Sequence, residues 1–180
     1  MSRPALPEPA KLVIGAFTAE PDLIEPVARR LSEKFGDIDL ASSWFRFDYT
    51  DYYEKEMGTG LVRRMMAFKT LVDQDELADI KHATNKTESE FAEGDKRRIN
   101  IDPGYLLRER FVLASGKNFS HRIYIGRGMY ADLTLVYSKG AFRALPWTYP
   151  DYAAENMLDF LYRVRDKYVF DLKSLKEIQS

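Results

Sequence analysis

The 180-residue chain predicts an α+β domain, and three observations carry that prediction. Short apolar or alternating runs, the mark of strands, are interleaved with two stretches of helical periodicity in the order β-α-β-β-α-β. Three further alternating runs follow, two of them joined by a glycine-rich turn. An amphipathic helix closes the chain. Apolar residues make up 45% of the sequence, ordinary for a globular domain. No apolar run approaches the roughly 18 residues of a membrane span, and no signal-peptide core follows Met1, so the expected address is cytoplasmic.

Residues 1–10 carry Pro4, Pro7 and Pro9 and read as an extended lead-in, leaving 11–180 as a single domain. Lys11–Phe17 (KLVIGAF) is a short apolar run suited to a buried strand. Pro21 fits a first helical turn, and Leu23, Ile24, Val27, Leu31 and Phe35 recur at helical spacing until Gly36. Ala41–Tyr49 alternates, with Phe45, Phe47 and Tyr49 on one face and Trp44, Arg46 and Asp48 on the other. Leu61–Val72 is the next strand. Asp73 and Glu76 have capping-box spacing, and Leu77, Ile80, Thr84, Thr87 and Phe91 form the buried stripe of a helix that Gly94 ends. Lys96–Ile101 reads as a strand closed by an Asp102-Pro103-Gly104 turn, since Pro fixes φ and Gly accepts positive φ. These elements have the order of a ferredoxin-like βαββαβ core. Arg110–Ala114, His121–Ile125 and Tyr130–Tyr137 extend it, the last two as an antiparallel hairpin through Gly126–Met129. A C-terminal helix from Asp151 to Lys167 packs through Ala154, Met157, Leu158, Leu161 and Val164.

Composition removes several chemistries. The absence of cysteine excludes a disulfide scaffold, a thiolate zinc site and a cysteine nucleophile. Two histidines are too few for a multi-histidine metal site. No phosphate-loop, dinucleotide, nucleophile-elbow or H-E-x-x-H motif occurs. A net charge of −1 disfavours nucleic acid, where phosphate contacts dominate affinity. That near-neutrality is a sum of opposites. Thr18–Gly60 holds ten acids and five bases, whereas Arg110–Pro150 holds six bases and one acid, Asp132. The second segment is a candidate positive field for an anionic ligand, unless the two segments lie together and cancel.

The richest polar stretch runs from Ser115 to Thr134. Lys117, Asn118, His121, Arg122, Tyr124, Arg127, Tyr130 and Thr134 are the candidate ligand-binding residues. If the two strands pair as a hairpin, Arg122 and Tyr124 share a face with Tyr130, Asp132 and Thr134. Ile123, Ile125, Leu133 and Leu135 are then left for the core. The expected ligand is an anionic small molecule such as a nucleotide phosphate, held by charge-assisted hydrogen bonds. Solvent-facing positions of a plain antiparallel sheet give the same pattern without function. His121 is the candidate general base, with Asp132 or Asp102 as its orienting carboxylate. His82 falls beside the apolar stripe of its helix, as a surface or boundary residue. Asp102 with Asp132 is the weak candidate pair for a divalent cation; no other metal site and no cofactor are indicated. In Leu145–Tyr152 (LPWTYPDY) two prolines bracket Trp147 and Tyr149. This reads as a rigid turn docking Trp147 on the core, with Thr148 or Asp151 capping the last helix, or as a stacking platform. The alternative function is a non-catalytic interaction module whose aromatic strands form a homodimer face or a face for another protein partner.

Taken in order, KLVIGAFTAE, WFRFDYTDYYEKEMG, INIDPGYL, GKNFSHRIYIGRGMYADLTLVY and LPWTYPDY resemble a bacterial family known as domain of unknown function 4416. The resemblance spans about Lys11 to Tyr152. Its members often carry the label GTP-binding protein. It implies a coherent family without an established activity, and it supplies no catalytic residues. Asn85-Lys86-Thr87-Glu88 is similar to the guanine-reading N-K-x-D motif, but Glu replaces Asp and the segment lies in a predicted helix.

Overall fold

A computed structural model describes residues 3–49 and 53–179. The first half contains strand β1 (Ala10–Thr18), helix α1 (Ile24–Phe35), the short strands β2 (Ile38–Ala41) and β3 (Phe45–Arg46), the single-turn helix α2 (Glu54–Met57), β4 (Val62–Val72) and α3 (Leu77–Glu90). The second half contains β5 (Ile99–Leu106), β6 (Arg110–Ser115), β7 (Arg122–Gly126), β8 (Met129–Ser138), β9 (Ala141–Ala144) and α4 (Glu155–Gln179). Among the described residues the nine strands form one antiparallel sheet in the order β2-β4-β1-β5-β6-β8-β7, with β3 on β4 and β9 on β8. No helix among them is long and apolar enough to cross a membrane.

Two-residue alternation sorts the sheet into two cores. Leu12, Ile14 and Ala16 of β1, with Met66, Phe68, Ile99 and Ile101, meet Ile24, Val27 and Leu31 of α1 and Ile80 of α3. The opposite face buries Val13, Met65, Leu106, Phe111 and Leu135 under Met157, Phe160, Leu161, Val164, Tyr168 and Leu172 of α4. The expected helix starts hold: Pro21 opens a 3-10 turn before α1, and Asp73 with Glu76 closes a reciprocal capping box before α3.

Several sequence expectations need correction. Ala41–Tyr49 is not one strand: Ala41 ends β2 opposite Met66, and Phe45–Arg46 pairs separately, both against β4, although Phe45 and Phe47 are buried and Trp44 exposed. β9 was not foreseen. The last helix starts at Glu155 and runs to Gln179. Thr148 and Asp151 do not cap it; the Thr148 hydroxyl donates to the Thr134 carbonyl, and Asp151 pairs with Arg63. Asp102-Pro103-Gly104 is not a turn. β5 runs through it, with Asp102 opposite Gly15 and Pro103 opposite Ile14.

The reason lies on the other edge of β5, where pairing with β6 begins only at Gly104. Upstream of that point the strands part. The Ile101 amide donates to Glu88 Oε1 at 2.6 Å, and its carbonyl accepts from Lys81 Nζ at 2.7 Å, so α3 side chains replace the missing strand. Alternation turns the Pro103 nitrogen to the same unpaired side, where its lack of an N–H costs nothing. Gly104 sits where β6 closes in: a Cβ there would lie 2.4 Å from the Val112 carbonyl.

Docking of α4 relies on charge as well as apolar contact. Lys11, fully buried in β1, donates to Asp39 at 2.6 Å and to Asp171 of α4 at 2.8 Å. Lys167 pairs with the same two carboxylates. Lys11→Met is expected to cost about 2 kcal/mol in urea denaturation, because it strips a buried partner from two carboxylates and leaves only Lys167. Burial alone would raise the Asp171 carboxyl, but hydrogen bonds from Lys11 and Lys167 outweigh it and hold the carboxyl below its ordinary range. A depressed folded value gives stability that is present above the unfolded value, about 3.9, and is lost as pH falls through the folded one. The stability gap between wild type and Asp171→Asn should therefore be widest near neutral pH and shrink below about pH 4.

Candidate ligand-binding face

Strand register places the site on the α4 side of the sheet, at the end where β5 and β6 part. One lateral row runs Val13, Gly104, Leu113, Asp132, Arg122, each residue opposite the next. The next row holds Gly15 and Asp102 on one side of the parting, and Ser115, Tyr130 and Tyr124 on the other. The hairpin reading of β7 and β8 is therefore correct in register: Arg122 faces Asp132 and Tyr124 faces Tyr130. Its inside and outside are as expected in part: Leu135 is fully buried, and Ile125 and Leu133 pack partly buried against the α4 core, but two positions depart. Asp132 is 4% exposed, whereas Ile123 is 72% exposed. β7 is the edge of the sheet, so the face opposite the polar row has only solvent to meet at Ile123.

Asp132 is the hub of the far side. Its Oδ2 accepts from Arg122 Nε at 2.9 Å and lies 3.2 Å from His121 Nε2. A carboxylate can only accept, so Nε2 carries the proton and Nδ1 is the basic nitrogen of the neutral ring. The Thr134 hydroxyl donates to the Asp132 carbonyl at 3.1 Å. Arg122 spreads its remaining donors over Ser115 Oγ at 3.1 Å, the Lys117 carbonyl at 2.9 Å and the Tyr149 hydroxyl at 3.2 Å. Burial opposes its charge, but the bonds to Asp132 and Tyr149 win and raise its pKa. The guanidinium thus braces the Gly116–Ser120 loop, whose residues are all exposed.

An aromatic tier stands beside that loop. The His121 ring stacks on Trp147 at 5.0 Å and 10°, and the Phe119 ring lies 5.2 Å from His121 at a tilt of 57°. Trp147 is held by β8: its indole N–H donates to the Leu133 carbonyl at 2.8 Å. Tyr124 and Tyr130 make a second ring pair at 5.4 Å.

The near side of the parting is a buried charge cluster that the sequence reading missed except for Asp102. The Arg63 guanidinium, 3% exposed, lies 4.4 Å from the centre of the Phe47 ring and 5.1 Å from that of Tyr152. It pairs with Asp151 and lies 4.0 Å from Asp102. Asn100 donates to Asp102 Oδ2 at 2.8 Å, and Lys81 Nζ is 3.7 Å from its Oδ1. Burial, then the Asp102 charge, pushes the nearby Tyr53 hydroxyl up to about 12. Beside Arg63 and Asp151 is a cavity of about 10 Å³, room for one water. Arginine in an alternating strand reads as solvent-facing; only the rings of Phe17 and Phe47 around it mark Arg63 as buried, and that is a tertiary fact.

The remaining candidates lie elsewhere. Arg127 occupies the β7–β8 turn with φ of 53° and pairs with Asp79 of α3, while its carbonyl meets His82 at 2.9 Å. His82 is exposed, as expected. Asp102 and Asp132 belong to separate clusters, each beside a cation, and no group of three or more His, Cys, Asp or Glu gathers among the described residues. Asn85–Glu88 lies inside α3, where Thr87 bonds the Ala83 carbonyl and Glu88 the Ile101 amide.

Arg122→Ala would leave the buried Asp132 without its guanidinium and the loop without its brace. The expected result is a loss of about 2–3 kcal/mol in denaturation and faster amide exchange over residues 116–120. Arg122→Lys should recover only part of it, since an ammonium cannot reach Asp132, Ser115 and Tyr149 together.

No curated protein and no solved structure matches the chain. One family model does match, over residues 8–168, and covers both strands of the hairpin, the loop, the aromatic tier and the Arg63 cluster. The chain belongs to the family described as Domain of unknown function (DUF4416).

Proposed function

We propose that the chain binds a small anionic ligand with a planar ring, of the nucleotide phosphate kind, at the Ser115–Arg122 loop and the rings beside it. The observation that carries this reading is the Phe119–His121–Trp147 tier next to a loop braced by Arg122. Phe119 is 63% and Trp147 37% exposed, so a flat π-system has open surface to stack on. Lys117, Asn118 and Ser120, all exposed on the loop, offer an ammonium, an amide and a hydroxyl to the anionic group. Arg122 is a positioning residue, holding Ser115, the Lys117 carbonyl and Tyr149 in place. His121 Nδ1 is the candidate base for a bound ligand or water, oriented by Asp132. The strand order β2-β4-β1-β5, with α1 and α3 on one face, supports a ferredoxin-like reading of the first half of the sheet.

A thermal-shift screen with nucleotides, sugar phosphates and inorganic phosphate, followed by calorimetry, tests the reading. Trp147→Ala is expected to weaken nucleotide binding by about 1–3 kcal/mol, the usual worth of one stacked base. Lys117→Ala should weaken nucleotide and inorganic phosphate alike. Unchanged affinity in the double variant would remove the site.

A second reading rests on the edge strand. Ile123 and Tyr124 of β7 are 72% and 59% exposed on a strand with no outer neighbour among the described residues, a surface suited to self-pairing. Sedimentation of the wild type should then show a dimer that Ile123→Lys returns to monomer; a monomeric wild type at high micromolar concentration rules the reading out.

A further inference from the structure

We infer that Asp102, Tyr152 and Arg63 form a second subsite that takes a hydroxyl group of a polyol or sugar. It lies across the parting from the aromatic tier and stands independently of it.

The first support is an unsatisfied donor pair. The Tyr152 hydroxyl, in a side chain 2% exposed, has no hydrogen-bond partner among the described residues, and neither has Arg63 Nε. Native chains keep few such groups, and a phenylalanine would fill the same space without the cost. The hydroxyl lies on the same face as Gly15, in ordinary contact distance of it. It stands 3.5 Å from where a Cβ on Gly15 would project, and that Cβ would strike Met65 Sδ at 2.8 Å. The ring itself is fixed against Phe111, at 5.8 Å between centroids.

The second support is the set of partners. Asp102 lies opposite Gly15 on the same face, oriented by Asn100 and Lys81, and its side chain is 29% exposed. It is the route in from solvent. A hydroxyl both accepts and donates, so it can accept from Tyr152 or Arg63 Nε and donate to Asp102. The charges select against ions: Arg63 and Lys81 repel a cation, and Asp102 and Asp151 repel an anion.

Amide NMR spectra of the full chain with D-ribose and myo-inositol test the assignment, with inorganic phosphate as the comparison probe. Either polyol is expected to shift the Gly15 and Asp102 amides at tens of millimolar. Tyr152→Phe should abolish the response while leaving the melting temperature unchanged or higher, because it deletes an unpaired hydroxyl. Asp102→Asn should weaken binding about tenfold. Trp147→Ala should leave the polyol response intact, so failure of the ring-binding reading and failure of this one are told apart. The inference is overturned by silence to both polyols, by a response that survives Tyr152→Phe, or by a clear fall in melting temperature in that variant. A crystal structure in which an ordered water holds the Tyr152 hydroxyl and persists in ribose would also overturn it.

Discussion

The parting of β5 from β6, and the way α3 closes it, is the constraint on which the rest of the molecule depends. A peptide group buried without a partner costs as much as a lost hydrogen bond, so a sheet cannot simply open in its middle. Here the Ile101 N–H and C=O are handed to Glu88 and Lys81, two turns apart on one face of α3. The same helix reaches the far half through Asp79 to Arg127 and His82 to the Arg127 carbonyl. α3 therefore holds both sides of the opening. Burial pushes the Glu88 carboxyl up against the pull of Lys81, the Ile101 N–H and Arg97, as befits a group that stands in for backbone rather than facing water. On the α4 side the opening separates Asn100 and Asp102 from Ser115 and Tyr130, which gives the face its two polar clusters.

The charge asymmetry of the sequence resolves differently from either simple picture. The basic Arg110–Pro150 segment is not neutralised wholesale by Thr18–Gly60, nor left as an open positive field. Arg122 meets its own segment's Asp132, Arg127 meets Asp79, and Arg110 meets Glu109. Much of the charge is committed to bracing. What reaches solvent is a loop whose shape is set by a guanidinium, beside rings whose order is set by Asp132 and β8. The proposed ligand, a ring with an anionic group, is favoured over an extended polyanion on that ground.

Local chemistry was legible where it decides local structure. The capping box at Asp73–Glu76, the Gly36 stop and the β7–β8 register follow from residue types and spacing alone. Asp102-Pro103-Gly104 was misread because the same residues that make a tight turn also suit a strand that loses a neighbour: the imide needs an unpaired edge and the glycine a close carbonyl. Nothing within the segment distinguishes the two; Lys81 and Glu88, some twenty and thirteen residues away, decide it. The burial of Arg63 and Asp151 was invisible for a related reason, since their 88-residue separation is bridged only in the folded chain. The contact of Arg122 with Asp132 could be read from alternation; His121 reaches the same carboxylate from the turn before β7, and the stacking of Trp147 on His121 needed the β8 carbonyl that holds the indole.

Amide hydrogen exchange at Ile101, resolved by NMR, tests the α3-closed parting most directly. Protection of the Ile101 N–H should match that of amides in the β1–β5 ladder, and Glu88→Ala should release it while the β1 amides stay protected. An Ile101 amide that exchanges as freely as the Gly116–Ser120 loop in the wild type would show that β5 is not closed by α3.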